Sequence, residues 1–158
     1  MARVELARPI GVPPEHVFAF FVPQRMPYWY GAEMQSCFEV QGGAADFSVG
    51  LKVRISGQLG RQAVSLTAVI TAFAYARLLE WRFADAFGVR GLERWELERI
   101  AGESAKDSTK LRFVSQYEMP GRLGRLMDWL WTRRAVRQRN SDYLERLARL
   151  AESRSAAA

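Results

Sequence analysis

Cysteine is nearly absent: Cys37 is the only one in 158 residues. That excludes an internal disulfide and any multi-cysteine metal site. A reduced cytoplasm is the simplest setting for such a chain. Histidine is equally scarce. His16 stands alone, so neither a zinc site nor a Ser-His-Asp triad is expected. No apolar run reaches the roughly 18 residues of a membrane-spanning helix. The opening MARVELARPIGVPPEH has no basic segment followed by an apolar stretch, so no signal peptide is expected. Gly42-Gly43 and Gly121 to Gly124 read as turns and do not follow a phosphate-loop pattern. No cofactor is expected. Specific nucleic-acid signatures are missing too.

Hydrophobic residues make up 49 % of the chain and charged residues 25 %, the balance of an ordinary globular domain. The length suits one domain with a real core. Residues 1–153 are expected to form it, with 154–158 as a disordered or frayed tail. The net charge of +6 is unevenly placed. Residues 121–158 hold nine arginines against four acids, whereas residues 1–120 are almost balanced. The basic character therefore belongs to the C-terminal segment. It reads either as a solvated helix face or as a weak contact for an anionic surface.

Period-two alternation dominates the first 120 residues. Residues 3–10 place Val4, Leu6, Arg8 and Ile10 on one face. Pro13 and Pro14 then open a short helix, with Val17, Phe18 and Phe21 on its apolar side. Pro23 and Pro27 break it into a turn-rich stretch ending YWYGAE. A second strand is expected over 33–41, with Met34, Ser36, Phe38 and Val40 together. A third is expected over 47–56, with Val49, Leu51, Val53 and Ile55 together. Strand four spans AVSLTAVITAF, with a bulge near Ala72. Strands five, six and seven are RLLEWRF, LERWELER and KLRFVSQYEM. Their apolar faces carry Leu79, Trp81 and Phe83; Trp95 and Leu97; and Leu111, Phe113, Ser115 and Tyr117.

From Pro120 the pattern changes to helical periodicity over roughly thirty residues, on the order of 45 Å. One continuous helix is expected from about Arg122 to Glu152. Leu123, Leu126, Met127 and Leu130 form its stripe. Arg134, Arg137 and Ser141 continue that stripe before Leu144 and Ala148 resume it. A buried arginine without a partner is costly, so the polar stretch faces a solvated pocket or projects beyond the sheet. One wet and one apolar face per strand then give an α+β domain: a curved seven-stranded antiparallel sheet closed by the terminal helix.

The order of elements resembles the START/polyketide-cyclase-like superfamily, also called Bet v 1-like, SRPBCC or helix-grip proteins. The resemblance rests on the PPEHVF helix after a strand, the broken helix ending YWY, RLLEWRF and RWELERI, and the MPGRLGRLMD junction. It spans residues 3–152. Ser108-Thr109 stands where the family often has Gly-Thr. The resemblance implies two short helices after the first strand. It also implies a cavity between sheet and terminal helix, holding a lipid, sterol, polyketide or other apolar molecule. Relatives include cyclases, dehydratases, lipid transporters and hormone binders, and fold alone does not choose among them.

The expected ligand shell consists of Trp29, Phe38, Val53, Trp81, Trp95, Phe113, Tyr117, Met127, Leu130 and Arg134. Glu93 shares the parity of Trp95 and Leu97. It is paired here with Arg134 across the pocket, where the two could orient a polar ligand end or assist proton transfer. Ser115 and Tyr117 add hydroxyls. Bulky aromatics at alternating positions can equally be plain core. Three readings follow: a binder of a small apolar or amphipathic molecule, a cyclase- or dehydratase-like enzyme, and an interaction module working through the basic helix.

Overall fold

A computed structural model describes residues 1–103, 106–121 and 132–157. Among them are seven strands: β1 (Ala2–Ile10), β2 (Cys37–Val40), β3 (Lys52–Leu59), β4 (Gln62–Ala74), β5 (Leu78–Asp85), β6 (Arg90–Ile100) and β7 (Ser108–Glu118). They form one sheet in the order β1-β7-β6-β5-β4-β3-β2, each pair antiparallel. Helix α1 (Pro14–Phe18) follows β1, and α2 (Arg133–Ala157) crosses the concave face. Short 3-10 turns at Met26–Tyr28 and Ala32–Met34 fill the stretch that Pro23 and Pro27 break. This is the helix-grip arrangement.

The alternation survives in the burial of the strands. Along β7, Leu111, Phe113, Ser115 and Tyr117 are buried; along β5, Leu79 and Trp81. The register between β4 and β5 slips between Ile70 and Ala72. Such a bulge bends a strand and helps the sheet curl. On the convex face, charges link neighbouring strands. Arg94 pairs with Glu80 at 2.9 Å, and Arg112 pairs with Glu96 at 3.1 Å and Glu5 at 2.7 Å.

Two strands are shorter than their sequence pattern suggests. The expected second strand over 33–41 keeps only Cys37–Val40, because Gly31 and Gln35 take left-handed conformations and wrap the chain into a 3-10 turn. The third begins at Lys52, not at residue 47. A turn around Gly50 (φ 87°) precedes it, leaving Val49 exposed rather than inward. Cys37 is exposed on edge strand β2, and His16 is exposed on α1.

Close packing also fixes one position in β6. A Cβ on Gly91 would collide with the main-chain oxygen of Gln116 on β7 and come within 2.9 Å of the Phe83 ring. Gly91→Ala must therefore push two paired strands apart. A loss of about 1–3 kcal/mol in urea unfolding is expected, and an unchanged midpoint would contradict this packing.

Residues 122–131 lie outside the described part, and with them Leu123, Leu126, Met127 and Leu130. Within α2 the buried residues are Asn140, Tyr143, Leu144, Leu147, Ala148 and Ala151. Arg134, Arg137 and Ser141 are exposed, whereas Leu144 and Ala148 of the same expected stripe are buried; the buried face is centred on Asn140, Leu147 and Ala151, to one side of that stripe. Arg133 and Arg137 instead donate to main-chain oxygens of edge strand β1, at Arg3 (3.1 Å) and Glu5 (3.4 Å). Part of the basic character thus ties the helix to a strand edge that would otherwise lie open. The helix continues to Ala157, into the segment expected to fray.

Candidate functional site

The concave face is divided lengthwise. Toward one end, aromatic rings interlock. Trp81 and Trp95 lie 4.7 Å apart, Trp95 and Phe113 5.2 Å, and Phe21 and Trp29 5.1 Å. Leu147, Ala148 and Ala151 of α2 belong to the same core. Toward the other end the inward positions become smaller or polar. There the sheet and the first half of α2 enclose a hollow of about 300 Å³. Ile55, Leu66, Phe83 and Val136 give it an apolar wall; Glu93, Ser115 and Asn140 give it a polar one.

Glu93 is the centre of the polar wall. It is 5 % exposed. The hydroxyl of Tyr30 donates to its Oε2 at 2.7 Å, and the indole N–H of Trp81 donates to the same oxygen at 3.0 Å. Tyr30 is held there by the left-handed turn at Gly31 and by Ser36, whose hydroxyl donates to the Tyr30 carbonyl at 2.6 Å. Burial pushes the Glu93 carboxyl up from its ordinary value, although Tyr30, Arg139 and Trp81 pull the other way. Burial, and then the Glu93 charge, also push the Tyr30 phenol well up. A carboxyl in this setting holds its proton more readily than a surface carboxyl does.

Helix α2 supplies the facing groups. Tyr143 donates to Glu33 at 2.6 Å, and Arg146 pairs with Glu33 at 3.3 Å. Arg139 lines the hollow. Burial lowers its basicity, but Tyr143, Tyr30, Glu93 and Glu33 outweigh that and hold its guanidinium above the usual range. Asn140 is 2 % exposed, and neither its amide nitrogen nor its amide oxygen has a hydrogen-bond partner among the described residues.

Of the expected ligand shell, Tyr117 lines the hollow, as do Glu93 and Ser115. Trp29, Val53, Trp81, Trp95 and Phe113 do not; they are buried in the core. Phe38 packs against that core at its border. The aromatic rings among them are too large and too mutually engaged to leave space. Arg134 is exposed and takes no part in the wall, which corrects its pairing with Glu93. The arginine whose charge reaches Glu93 is Arg139, five residues further along α2; it is exposed too, but it borders the hollow. Met127 and Leu130 lie outside the described residues. Sequence reasoning missed Tyr30, Arg139, Asn140 and Tyr143. The YWY segment pointed toward Tyr30, and correct helical phase would have found the others.

Two chemistries are not assembled. Among the described residues, no cluster of three or more His, Cys, Asp and Glu could hold a metal ion. No described helix is long and apolar enough to cross a membrane.

Solved structures share this fold. Protein MLL2253 from Mesorhizobium loti superimposes with a TM-score of 0.70 at 18 % identity, covering 96 % of this chain and 98 % of that one. Ara h 8.0201 gives 0.66 at 13 % identity, over 96 % and 98 % of the two chains. DynU16, a putative protein in the dynemicin biosynthetic locus, gives 0.64 at 18 % identity, over 95 % of this chain and 47 % of that one. No curated protein matches the sequence. Residues 1–152 match the family described as "Polyketide cyclase / dehydrase and lipid transport".

Proposed function

The chain belongs to the polyketide cyclase/dehydrase and lipid transport family, and on that basis we propose that it binds one small, mostly apolar molecule in the hollow beside Glu93. The observation that carries the reading is the division of the concave face. A domain that only needed a core would extend the aromatic packing along the whole helix. Among the described residues the packing stops here, and an apolar wall with a few buried polar groups takes over, the usual make-up of a small-ligand site. At about 300 Å³ the hollow stands at the small end of such sites. It suits a ligand of one or two rings or a short chain better than a two-chain lipid.

Polyketide-type and isoprenoid-type molecules are the ligand classes that fit this size and polarity. A catalytic role has one specific support: Glu93 is a buried carboxyl whose environment favours the protonated form, the property required of a general acid. Binding is the primary reading, because a reaction needs further groups placed around a substrate.

Native mass spectrometry of the purified protein with an organic cell extract tests the proposal. A discrete mass should be retained. Leu66, which lines the hollow from β4, offers the control. Leu66→Trp should fill the space and weaken retention by about tenfold or more while leaving the fold intact. Retention that Leu66→Trp leaves unchanged would place the ligand elsewhere.

A further inference from the structure

Asn140 is the most anomalous residue in the hollow. Asparagine is a weak helix former, yet this one sits in the interior of α2, is 2 % exposed, and faces the hollow with both amide atoms unpartnered among the described residues. A buried polar group without a partner is destabilising. Leucine would fill the same volume without that cost. An amide offers one kind of atom that donates and one that accepts. It is satisfied by a group that does both.

Hydrogen-bonding capacity narrows the choice. Two carboxyls, Glu93 and Glu33, stand around this end of the site. Glu33 is engaged by Arg146 at 3.3 Å and by the Tyr143 hydroxyl at 2.6 Å, and Glu93 by Tyr30 and Trp81, so both carboxyls already have partners. The Asn140 amide has none among the described residues. An ionised carboxylate or phosphodiester head only accepts, so it would satisfy the amide nitrogen and leave the amide oxygen without a donor. The other wall, at Ile55, Leu66, Phe83 and Val136, is apolar.

We propose that Asn140 is a specificity-determining residue. It selects an uncharged ligand whose apolar body carries an adjacent carbonyl and N–H or O–H, as in a carboxamide or a hydroxy-ketone. Carboxylates and phosphorylated lipids are thereby disfavoured. The inference rests on the ligand-binding reading above and goes beyond it by assigning the chemistry of the ligand's polar end.

Three biphenyl probes share one apolar body: the para-carboxamide, the para-carboxylate and the para-methyl derivative. Calorimetric titration of the intact protein should show the carboxamide binding about tenfold tighter than either of the others. Asn140→Leu should bring the carboxamide to within about threefold of the methyl probe, while the methyl probe itself shifts by less than about twofold. Asn140→Val gives the same comparison should the leucine variant not fold. If the three probes bind equally, if the carboxylate binds tightest, or if the preference survives both substitutions, the assignment to Asn140 is wrong while the binding reading stands. If no probe binds, the binding reading falls and takes this inference with it.

Discussion

Trp95→Ala is expected to lower the free energy of unfolding by about 3–5 kcal/mol, the range for deleting a large aromatic from a packed interior. Trp95 is 1 % exposed. Its ring meets those of Phe21, Trp29, Tyr30, Trp81 and Phe113. These neighbours come from the segment after α1, from β5 and from β7, so they cannot all close over the gap together. Urea unfolding followed by far-UV circular dichroism measures the loss. A loss below about 1.5 kcal/mol would mean that this end of the concavity is loosely packed, and that the division into core and hollow is misplaced. The substitution tests the fold first, and any change in ligand binding would follow from that.

The second large effect is on pH dependence. Burial raises the Glu93 carboxyl above 4.5 in the folded protein. Between that value and the folded one, the native state holds a proton that the unfolded chain has released. The resulting stability is complete below the unfolded value and is lost as pH rises through the folded value. Glutamine retains an oxygen that can accept from Tyr30 and Trp81 but does not titrate. Urea midpoints of the wild type should therefore fall relative to Glu93→Gln as pH is raised from about 4 to about 8. A constant difference across that range would show that Glu93 keeps the same charge state folded and unfolded. A difference that grows in favour of the wild type would reverse the sign of the shift.

Parity along a strand says which face a side chain takes, and here it was informative. Trp81, Trp95, Phe113, Ser115 and Tyr117 all face inward, as alternation required. It does not say how far along the groove a residue lies. Trp95 and Glu93 are two positions apart on the same face, yet one is embedded in rings and the other borders open space. Depth of that kind depends on where α2 lies across the sheet. The helix posed a second problem. The expected stripe ran along one border of the buried face, so it took in Arg134, Arg137 and Ser141, which are exposed, and passed over Asn140 at the centre of that face. The shortened β2 had a different cause: Gln35 adopts φ 50°, a conformation that composition does not announce for glutamine. The bulge near Ala72, by contrast, was visible as a break in alternation.

The pairing of β1 with β7 places Ala2 opposite Tyr117 and Ile10 opposite Thr109. Closing that pair brings together segments about a hundred residues apart, at an entropic cost that must be met before the contact stabilises anything. Within this sheet β1 is therefore made first and paired last. While β2 to β6 are being made, Val4, Leu6 and Ile10 have no partner strand, and they stay an unpaired apolar ribbon until β7 has emerged.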